Sequence, residues 1–416
     1  MNYTISYGKR KLSLQIPRKR VIGQLSPKDV KQVADVGRAV RNALKRPFES
    51  PPLVELLQGR TTALIVTVDH TRPSPKPMLD PMLEACAACY VTPTIMIATG
   101  RHRQMTPQEL KSHLGSDILN RYRIEQHDPF DSRRMITKGK TKRGTVIRVN
   151  RAVFEHDIVL GCGIIEPSYL AGWSGGRKLL MPGLAHHKSI DNNHYYLTHQ
   201  DAKIGRLHGN PISDDAAECA AKLPLHFILY ALSGPNDEVM RVIAGHPVKA
   251  HKRACKLCER VYRIPAKHAD IVISSAGGHP YDCDLVQTKK AIIPAIETVK
   301  RNGVIILCGQ CPDGLGAEET FVRWLKEKTP AQVVHDVRDR KQFSLGAHGA
   351  NILARPIVEK NAKVILVTGR KVSEQLAGTY VTAVTRLADA WKLANLITGP
   401  QSDVLLIENA RRLIVH

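Results

Sequence analysis

The sequence predicts an α/β protein made of two α/β domains with mainly parallel sheets. Three observations lead to this fold class. Short runs rich in Val, Ile and Leu recur along the chain, and turn residues close each of them. Segments with the apolar spacing of a helix lie between these runs. At 416 residues, the chain is also too long for one ordinary hydrophobic core.

The apolar runs have the composition of strands that are buried on both faces of a parallel sheet. Their alternation with helices is typical of a doubly wound fold, in which ligands lie beyond the carboxyl ends of the strands. Residues 3–16 predict a hairpin or an edge strand, and helical spacing is clear in residues 26–44 and 331–343. The predicted buried strands lie within residues 61–73, 92–100, 156–163, 226–234, 269–278, 303–309, 363–369 and 403–409.

A charged stretch near residues 260–268 separates two sets of predicted strands. It predicts a boundary between an N-terminal domain, residues 1–264, and a C-terminal domain, residues 265–416. No apolar run reaches the roughly 18 residues that a membrane span requires. The N-terminus also lacks the apolar block of a signal peptide. We therefore expect a cytoplasmic protein without a membrane partner.

The charge of the chain is unusual, because 61 Lys and Arg residues stand against 38 Asp and Glu residues, a formal net charge of +23. A basic face supplies the sequence-independent part of nucleic-acid affinity, so a nucleic-acid partner is one explanation. The cations are scattered, however, and do not form a stripe with aromatic residues. An anionic small substrate or a basic proteome background explains them at least as well, so nucleic acid is the less favoured partner.

The nine cysteines include three CxxC spacings, and a zinc site from two of these pairs is conceivable. Buried reduced thiols are the favoured interpretation, because free cysteine is among the most buried residue types. In agreement, one pair lies in a predicted helix and Cys308 ends an apolar run. The three pairs are Cys86/Cys89, Cys255/Cys258 and Cys308/Cys311.

Polar side chains follow two of the predicted strands. In "VDHTRPSP", Asp69, Thr71 and Arg72 place a carboxylate, a hydroxyl and a guanidinium at one strand end, where Arg72 could hold a phosphate or carboxylate bidentately. A plain turn capped by Asp69 is the alternative. In "IATGRHRQMT", His102 follows the next strand between two arginines. These cations should favour the neutral imidazole that a general base requires, although a lone loop histidine is often an exposed bystander.

The stretch "EPSYLAGWSGGRKLLMPG" carries an Arg177-Lys178 pair behind a glycine run. The glycines permit close backbone approach, and their unpaired N–H groups could bind an anion. Lys178 could anchor a cofactor covalently. Downstream, "HHKSIDNNH" has no spacing for a closed metal site, but a lone histidine ligand on a metal held by something else is compatible with it.

A fourth cluster, "SSAGGHPYDCDLVQTKKAI", ends a predicted strand in two glycines and continues into a predicted helix. Gln287 and Lys290 are three residues apart on that helix and therefore share one face. An amide and an ammonium side by side can hold a carboxylate, whereas a solvated helix face is the alternative.

Together these clusters resemble the nickel-dependent lactate racemase family, which also contains racemases and epimerases of other 2-hydroxy acids. The resemblance runs in order through "YGKRKLSLQIP", "DHTRP", "ATGRHR", "EPSYLAGWSGGRKLLMPG", "DNNH" and "GGHPYDCDLVQTKKA", and so covers most of the chain. It implies an active site in the cleft between two α/β domains, the first binding the cofactor and the second contributing substrate-binding residues. By position in the family's motifs, the cofactor-binding residues are Asp69, His70, Thr71, Arg72 and Lys178, the metal ligand is His194, and the substrate-binding residues are Gln287 and Lys290.

The cofactor that the resemblance implies is a nickel-pincer nucleotide, Ni(II)-pyridinium-3,5-bisthiocarboxylate mononucleotide, attached covalently at Lys178 and supplied by cofactor-biosynthesis enzymes. The implied reaction is racemisation of a small-molecule 2-hydroxy acid. Hydride passes from C2 to the pincer while a histidine that matches His102 takes the hydroxyl proton. The ketoacid then receives hydride on either face. Arg177 either offsets phosphate charge or faces water.

Ser168 is a departure, because the family's usual motif has a second acid/base histidine at this position. A serine hydroxyl is not a base near neutral pH without help. Three outcomes are open: Ser168 relays a proton to water or to His186 or His187, the smaller side chain accommodates a bulkier or polyhydroxylated acid, or activity is slow, one-sided or lost. The last outcome includes a non-catalytic anion- or nucleotide-binding homologue. We expect an active enzyme, because the other functional positions match.

Overall fold

The structure is a computed structural model that describes residues 1–316 and 318–416. Its strands, in chain order, are β1 (Asn2–Tyr7), β2 (Arg10–Gln15), β3 (Val21–Leu25), β4 (Thr62–Thr67), β5 (Thr92–Ile97), β6 (Arg123–Gln126), β7 (Met135–Lys140), β8 (Val146–Asn150), β9 (Ile158–Ile165), β10 (Pro167–Ser168), β11 (Gly172–Trp173), β12 (Phe227–Ser233), β13 (Val239–Gly245), β14 (Arg263–Ile264), β15 (Ala269–Ser275), β16 (Val299–Cys308), β17 (Lys363–Val367), β18 (Thr382–Val384), β19 (Val404–Ile407) and β20 (Ile414–Val415).

Helices alternate with these strands, as a doubly wound fold requires. The α-helices are α1 (Val36–Lys45), α2 (Leu53–Leu57), α3 (Lys76–Ala88), α4 (Pro107–Leu114), α5 (Ser116–Arg121), α6 (His187–Tyr195), α7 (Pro211–Ala220), α8 (Lys249–Tyr262), α9 (Leu285–Thr288), α10 (Ile292–Thr298), α11 (Glu319–Glu327), α12 (Pro330–Asp336), α13 (Ala347–Lys360), α14 (Arg370–Gln375) and α15 (Leu387–Thr398).

The chain divides into two compact units, Asp29–Val261 and a second unit that joins Met1–Lys28 to Tyr262–His416. The longer segment of the second unit begins at Tyr262, close to the predicted boundary at residue 264. The first 28 residues differ from the predicted division, because they belong with the C-terminal part of the chain. The reason is β3, which pairs in parallel with β19. A short apolar run specifies a strand, but it does not specify a partner almost 400 residues away.

The sheet of the Asp29–Val261 unit has the order β13-β12-β9-β4-β5-β6. Its strands are parallel except for β13, which runs antiparallel to β12. Ile65 on β4 lies opposite Ile95 on β5 and Leu160 on β9. Every residue of β9 is buried, because helices cover both faces of a parallel sheet. The predicted strands and the α/β class are confirmed here.

The sheet of the second unit has the order β18-β17-β16-β15-β19-β3 and is parallel throughout. In the same unit, β1 and β2 form the predicted antiparallel hairpin, with Tyr3 opposite Leu14. Tyr3, Ile5 and Tyr7 point from the hairpin into the core that contains Ile271 and Ile306. The alternating apolar residues of β1 therefore attach the hairpin to this unit.

Two predicted helices are shorter than their periodic patterns. The helix predicted over residues 26–44 begins only at Val36, because Asp35 has an extended backbone and its side chain accepts from the N–H of Arg38. The helix predicted over residues 331–343 begins at Pro330 with a Thr329–Gln332 capping box and ends at Asp336. Each N-cap determines where its helix begins, and the apolar period extends before Asp35 in the first case and beyond Asp336 in the second.

The cysteines are free thiols, and those of the three CxxC pairs are buried except for Cys89, which is half-buried. Cys86 lies in α3 and Cys308 ends β16, as predicted. Within residues 1–316 and 318–416, no helix combines the length and apolarity that crossing a bilayer demands.

Candidate active site

Three loops at the carboxyl edge of the β13-β12-β9-β4-β5-β6 sheet carry most of the predicted site. They follow β4, β5 and β9, which are parallel neighbours, so the loops leave the same edge of the sheet. Asp69 lies in the first loop, His102 in the second, and Lys178 follows β9. A hydrogen bond of 3.0 Å from Gly100 N to Gly183 O joins the second loop to the third.

Asp69 and His102 form a pair in which Nδ1 of His102 lies 2.6 Å from Oδ2 of Asp69. Thr71 donates to Oδ1 through its backbone N–H at 3.1 Å and its hydroxyl at 2.5 Å. Burial alone would raise the pKa of Asp69, but the hydrogen bond and charge of His102, with Thr71 and Arg72, hold it well below its usual value. Ionised Asp69 accepts the Nδ1–H of His102, so a neutral ring in this position has its lone pair on Nε2, as a general base requires.

The His102 side chain is 53% exposed, so its ring is accessible to a substrate. The side chains of its two arginine neighbours each pair with a carboxylate of another residue. Arg103 forms an ion pair with Glu109, and Arg101 lies 3.3 Å from Asp191. The carboxylate that contacts the His102 ring is that of Asp69.

Glu166 is a site residue to which sequence analysis assigned no role. It is the first residue after β9, its side chain is 6% exposed, and its Oε1 lies 3.1 Å from Nε of Arg72. Arg72 also donates through Nη1 to the carbonyl of Thr71 at 2.9 Å. The ion pair connects the loop after β4 to the end of β9. Its position directly after a buried strand is the signal that could have identified Glu166.

The glycine run serves packing more than the predicted anion-binding concavity. Gly176 has φ +56°, and a Cβ there would lie 2.7 Å from the ring of His251. Its N–H is not unpaired, because it donates to the hydroxyl of Tyr230 at 2.6 Å. Glycine is therefore needed at 176 for a left-handed backbone that packs closely against His251.

Arg177 points into the protein, so neither predicted environment, a phosphate or water, is what the structure shows. Its Nη2 donates to the Ser213 hydroxyl at 2.5 Å, and its Nε donates to the Ser213 carbonyl at 3.1 Å. Nη1 lies 3.4 Å from Nδ1 of His251, and burial lowers the pKa of Arg177. Arg177 therefore attaches the loop to α7 and α8. The adjacent Lys178 has a different environment.

Lys178 and Ser168 meet, since Nζ of Lys178 lies 3.5 Å from Oγ of Ser168. Ser168 ends β10 and pairs with Gly172 on β11, and this small hairpin turns the chain back toward the 3₁₀ segment Gly176–Leu179. Both side chains are half-buried. The serine that departs from the family pattern is therefore next to the lysine that the pattern identifies as a covalent anchor.

His194 lies in the last turn of α6 and is 8% exposed, with Nδ1 3.2 Å from Oδ1 of Asn193. At the start of this helix, His186 faces Ser132, and His187 stacks on Phe130 with ring centroids 4.8 Å apart. Neither ring forms a hydrogen bond with Ser168 in the part of the chain that the structure describes. A proton relay from Ser168 through them gains no support.

Gln287 and Lys290 lie in the second unit, where Lys290 donates to the amide oxygen of Gln287. This contact shows that the two side chains share one face, although Lys290 lies in the 3₁₀ segment that follows α9. Asp284 caps α9 by accepting from the N–H of Gln287 at 2.6 Å. Between them, Lys289 is fully buried, with Nζ 3.5 Å from Oε2 of Glu318. The sequence did not identify Lys289, because a lysine between a threonine and another lysine gives no sign that its side chain is buried.

The buried ring of His251, which packs beneath the glycine run, predicts that the folded protein becomes less stable in acid. Burial, and next the charge of Arg177, lower its pKa to about 3, while its Nε2 donates to the carbonyl of Ser174 at 2.8 Å. Above pH of about 6.5 both the folded and the unfolded chain hold this ring neutral. As the pH falls from there toward 3, only the unfolded chain binds the proton, so the free energy of unfolding decreases.

We expect His251→Gln to reduce the slope of unfolding free energy against pH between about pH 6 and 4 by close to one proton, or about 1.4 kcal/mol per pH unit. Urea unfolding at several pH values measures this slope. His208→Gln, at an exposed ring, is the matched control and should give the wild-type slope. Equal slopes for all three proteins would contradict a neutral buried His251.

Comparisons with known proteins agree with the fold and with the motifs. Two family models match: the lactate racemase N-terminal domain over residues 7–205 and the lactate racemase C-terminal domain over residues 264–415. The lactate racemase of Thermoanaerobacterium thermosaccharolyticum is 34% identical over 100% of this chain and 99% of its own. The lactate racemase of Lactiplantibacillus plantarum is 29% identical over 99% of both chains.

Solved structures give the same result. The lactate racemase apoprotein from T. thermosaccharolyticum superimposes with a TM-score of 0.93 at 33% identity, over 100% of both chains. A Thermotoga maritima protein at 18% identity has a TM-score of 0.71 over 94% of this chain and 100% of its own, which shows a shared fold. With both family models matched in order and a relative above 30% identity along its full length, this chain belongs to the lactate racemase family of isomerases.

Proposed function

We propose that the chain interconverts the two configurations at C2 of a 2-hydroxy acid by reversible hydride transfer from C2 to a nickel-pincer nucleotide. One observation carries the proposal: His102, paired with ionised Asp69, lies on a loop joined to that of Lys178, in a member of the lactate racemase family. The two named relatives are lactate racemases, so lactate is the first substrate to test.

The described residues suit such a cofactor. Nδ1 of His70 is buried and has no hydrogen-bond partner within residues 1–316 and 318–416. Buried polar atoms are normally satisfied, so a group of a bound nucleotide would complete it. His194 supplies an imidazole, a ligand type that suits nickel. No group of three or more His, Cys, Asp or Glu side chains among the described residues could hold a metal ion. A nickel ion would therefore need ligands that a cofactor brings.

On this proposal, Lys178 would carry the covalent link to the cofactor, His194 would ligate the metal, and residues 69–72 would contact the nucleotide. When bound, the cofactor supplies the acceptor for the hydride of C2. Gln287 and Lys290 hold the substrate carboxylate, which would accept from the amide N–H and from the ammonium. These two donors already lie side by side on α9 and the turn that follows it.

His102 moves the proton. Its Nε2 takes the hydroxyl proton of the substrate as the C2–H bond breaks, and it returns that proton when C2 is reduced again. Asp69 stabilises the imidazolium formed in this step, because its ionised carboxylate lies 2.6 Å from Nδ1. Thr71 keeps the carboxylate in place through its two hydrogen bonds. A correctly positioned base contributes about 10²–10⁴-fold to the rate.

The test is to co-express the chain with enzymes that make the cofactor. We expect nickel in the purified protein, an increased mass on the Lys178 peptide, and racemisation of one pair of 2-hydroxy-acid enantiomers by chiral chromatography. Substrate deuterated at C2 should keep its deuterium during turnover, because a hydride, unlike a proton, does not exchange with solvent. Deuterium loss to solvent would overturn hydride transfer. An unmodified Lys178 and no nickel would overturn the cofactor, and salt-dependent anion binding without turnover would then favour the non-catalytic alternative.

Substitutions at Ser168 test what the missing histidine means. We expect Ser168→Ala to change the rate by less than about 10-fold, because an unactivated hydroxyl is not a base. We expect Ser168→His to raise kcat/KM for lactate racemisation by about 10²-fold or more, equally from either enantiomer, since it supplies a second acid/base group. Rates measured separately from each enantiomer give both values. A loss of about 10²-fold in Ser168→Ala would instead show that the hydroxyl relays a proton.

A further inference from the structure

The side-chain amide of Asn193 has only one orientation that satisfies its neighbours. Its Nδ2 donates to Oδ2 of Asp215 at 2.8 Å and to the carbonyl of Ile212 at 3.1 Å. The carbonyl can only accept, so the reversed amide would place an oxygen against an acceptor. Asn193 is fully buried, and such a mismatch would cost the desolvation of an unsatisfied group. The amide oxygen therefore points away from Ile212.

Asp215 holds this orientation from the other side. It lies on α7, is 1% exposed, and accepts from the hydroxyl of Thr141 at 2.6 Å and from that of Thr145 at 2.8 Å. These two threonines lie between β7 and β8, so the hairpin, α7 and α6 meet at one carboxyl group. A buried carboxyl group with three donors is a rigid anchor for Asn193.

The fixed amide determines which nitrogen of His194 carries the proton. Oδ1 of Asn193 lies 3.2 Å from Nδ1 of His194, and an amide oxygen can only accept. Neutral His194 therefore carries its hydrogen on Nδ1, and its in-plane lone pair is on Nε2. A metal-binding histidine commonly has this arrangement, in which one ring nitrogen donates to a neighbouring oxygen and the other is the ligand.

We propose that Asn193 and Asp215 are positioning residues that hold His194 in the tautomer that binds nickel through Nε2. This inference rests on the proposed function for the identity of the metal, but the tautomer itself is a property of the protein alone. Neither residue would touch the substrate. Their effect would be to orient the ring and to fix its proton before the cofactor arrives.

The first experiment uses the protein without cofactor, labelled with ¹⁵N-histidine. Long-range ¹H–¹⁵N spectra at alkaline pH report which ring nitrogen is protonated, and subtraction of a His194→Gln spectrum assigns the signals. We expect His194 to be protonated at Nδ1 in the wild type and to shift toward the Nε2-protonated form in Asn193→Ala. Asn120→Ala is the matched control, because Asn120 is exposed on α5 and its loss should leave His194 unchanged. A wild-type ring protonated at Nε2 would overturn the proposal even if Asn193→Ala fails to fold.

The second experiment follows nickel in the cofactor-loaded protein. We expect Asn193→Ala to weaken nickel retention against a chelator by about 10–100-fold, as is typical when a partner of a metal ligand is lost. Asn120→Ala should retain nickel like the wild type. Equal retention in Asn193→Ala would overturn the positioning role. A wild type without nickel would instead overturn the proposed function, while the tautomer measurement would still decide the orientation of His194.

Discussion

Replacing Lys178 with alanine is expected to abolish racemisation and to leave the peptide that spans position 178 without added mass. Enzymes accelerate reactions by about 10⁶-fold or more, and removal of the group that carries the chemistry removes that factor. Activity should therefore fall below detection. The fold should persist, because the hydrogen bonds that shape this turn are made by the backbone, from Lys178 N to Gly175 O at 3.1 Å and from Gly183 N to Lys178 O at 3.0 Å.

Chiral chromatography, peptide mass and nickel content measure this prediction together. Lys188→Ala, at an exposed lysine ten residues along the chain, is the matched control and should behave as the wild type in all three. Full activity in Lys178→Ala with nickel retained would show that the cofactor does not need a covalent bond to this residue. Loss of activity in both variants would point to an unspecific effect of charge.

The carboxyl-edge rule explains why part of this site could be predicted from the sequence. Asp69 and His102 follow neighbouring parallel strands, so the sequence predicts both at one edge of the sheet. In the structure, Oδ2 of Asp69 lies 2.6 Å from Nδ1 of His102. Glu166 follows β9 in the same way and was missed, because it stands inside a motif dominated by glycines and cations. Its ion pair with Arg72 closes the same edge.

The features that the sequence did not predict depend on contacts between distant segments. β3 pairs with β19, and Arg177 points inward to Ser213 and His251. Local composition and periodicity do not identify the partner in either case. The orientation of Asn193 is of the same kind, since it needs the carbonyl of Ile212 and the carboxyl group of Asp215 at once. Periodicity identifies elements, whereas hydrogen-bond geometry requires the assembled fold.

Replacing Asp69 with asparagine is expected to lower the racemisation rate by about 10²–10⁴-fold with little change in shape. The amide can turn its NH₂ toward Nδ1 of His102, and the ring would then hold its proton on Nε2, where it could not accept one from the substrate. The amide also lacks the negative charge that stabilises the imidazolium. Rates with saturating substrate measure the loss, and Asp80→Asn on the surface of α3 is the matched control.

The double substitution decides whether Asp69 acts through His102. His102→Gln alone should also cost about 10²–10⁴-fold, since the base is gone. If the carboxylate serves only to orient and stabilise the ring, Asp69→Asn should add almost nothing once His102 is absent, because residues that act as a unit are strongly non-additive. Losses that multiply in the double variant would mean that Asp69 has a separate task, and its contact with the nucleotide would then be the explanation to pursue.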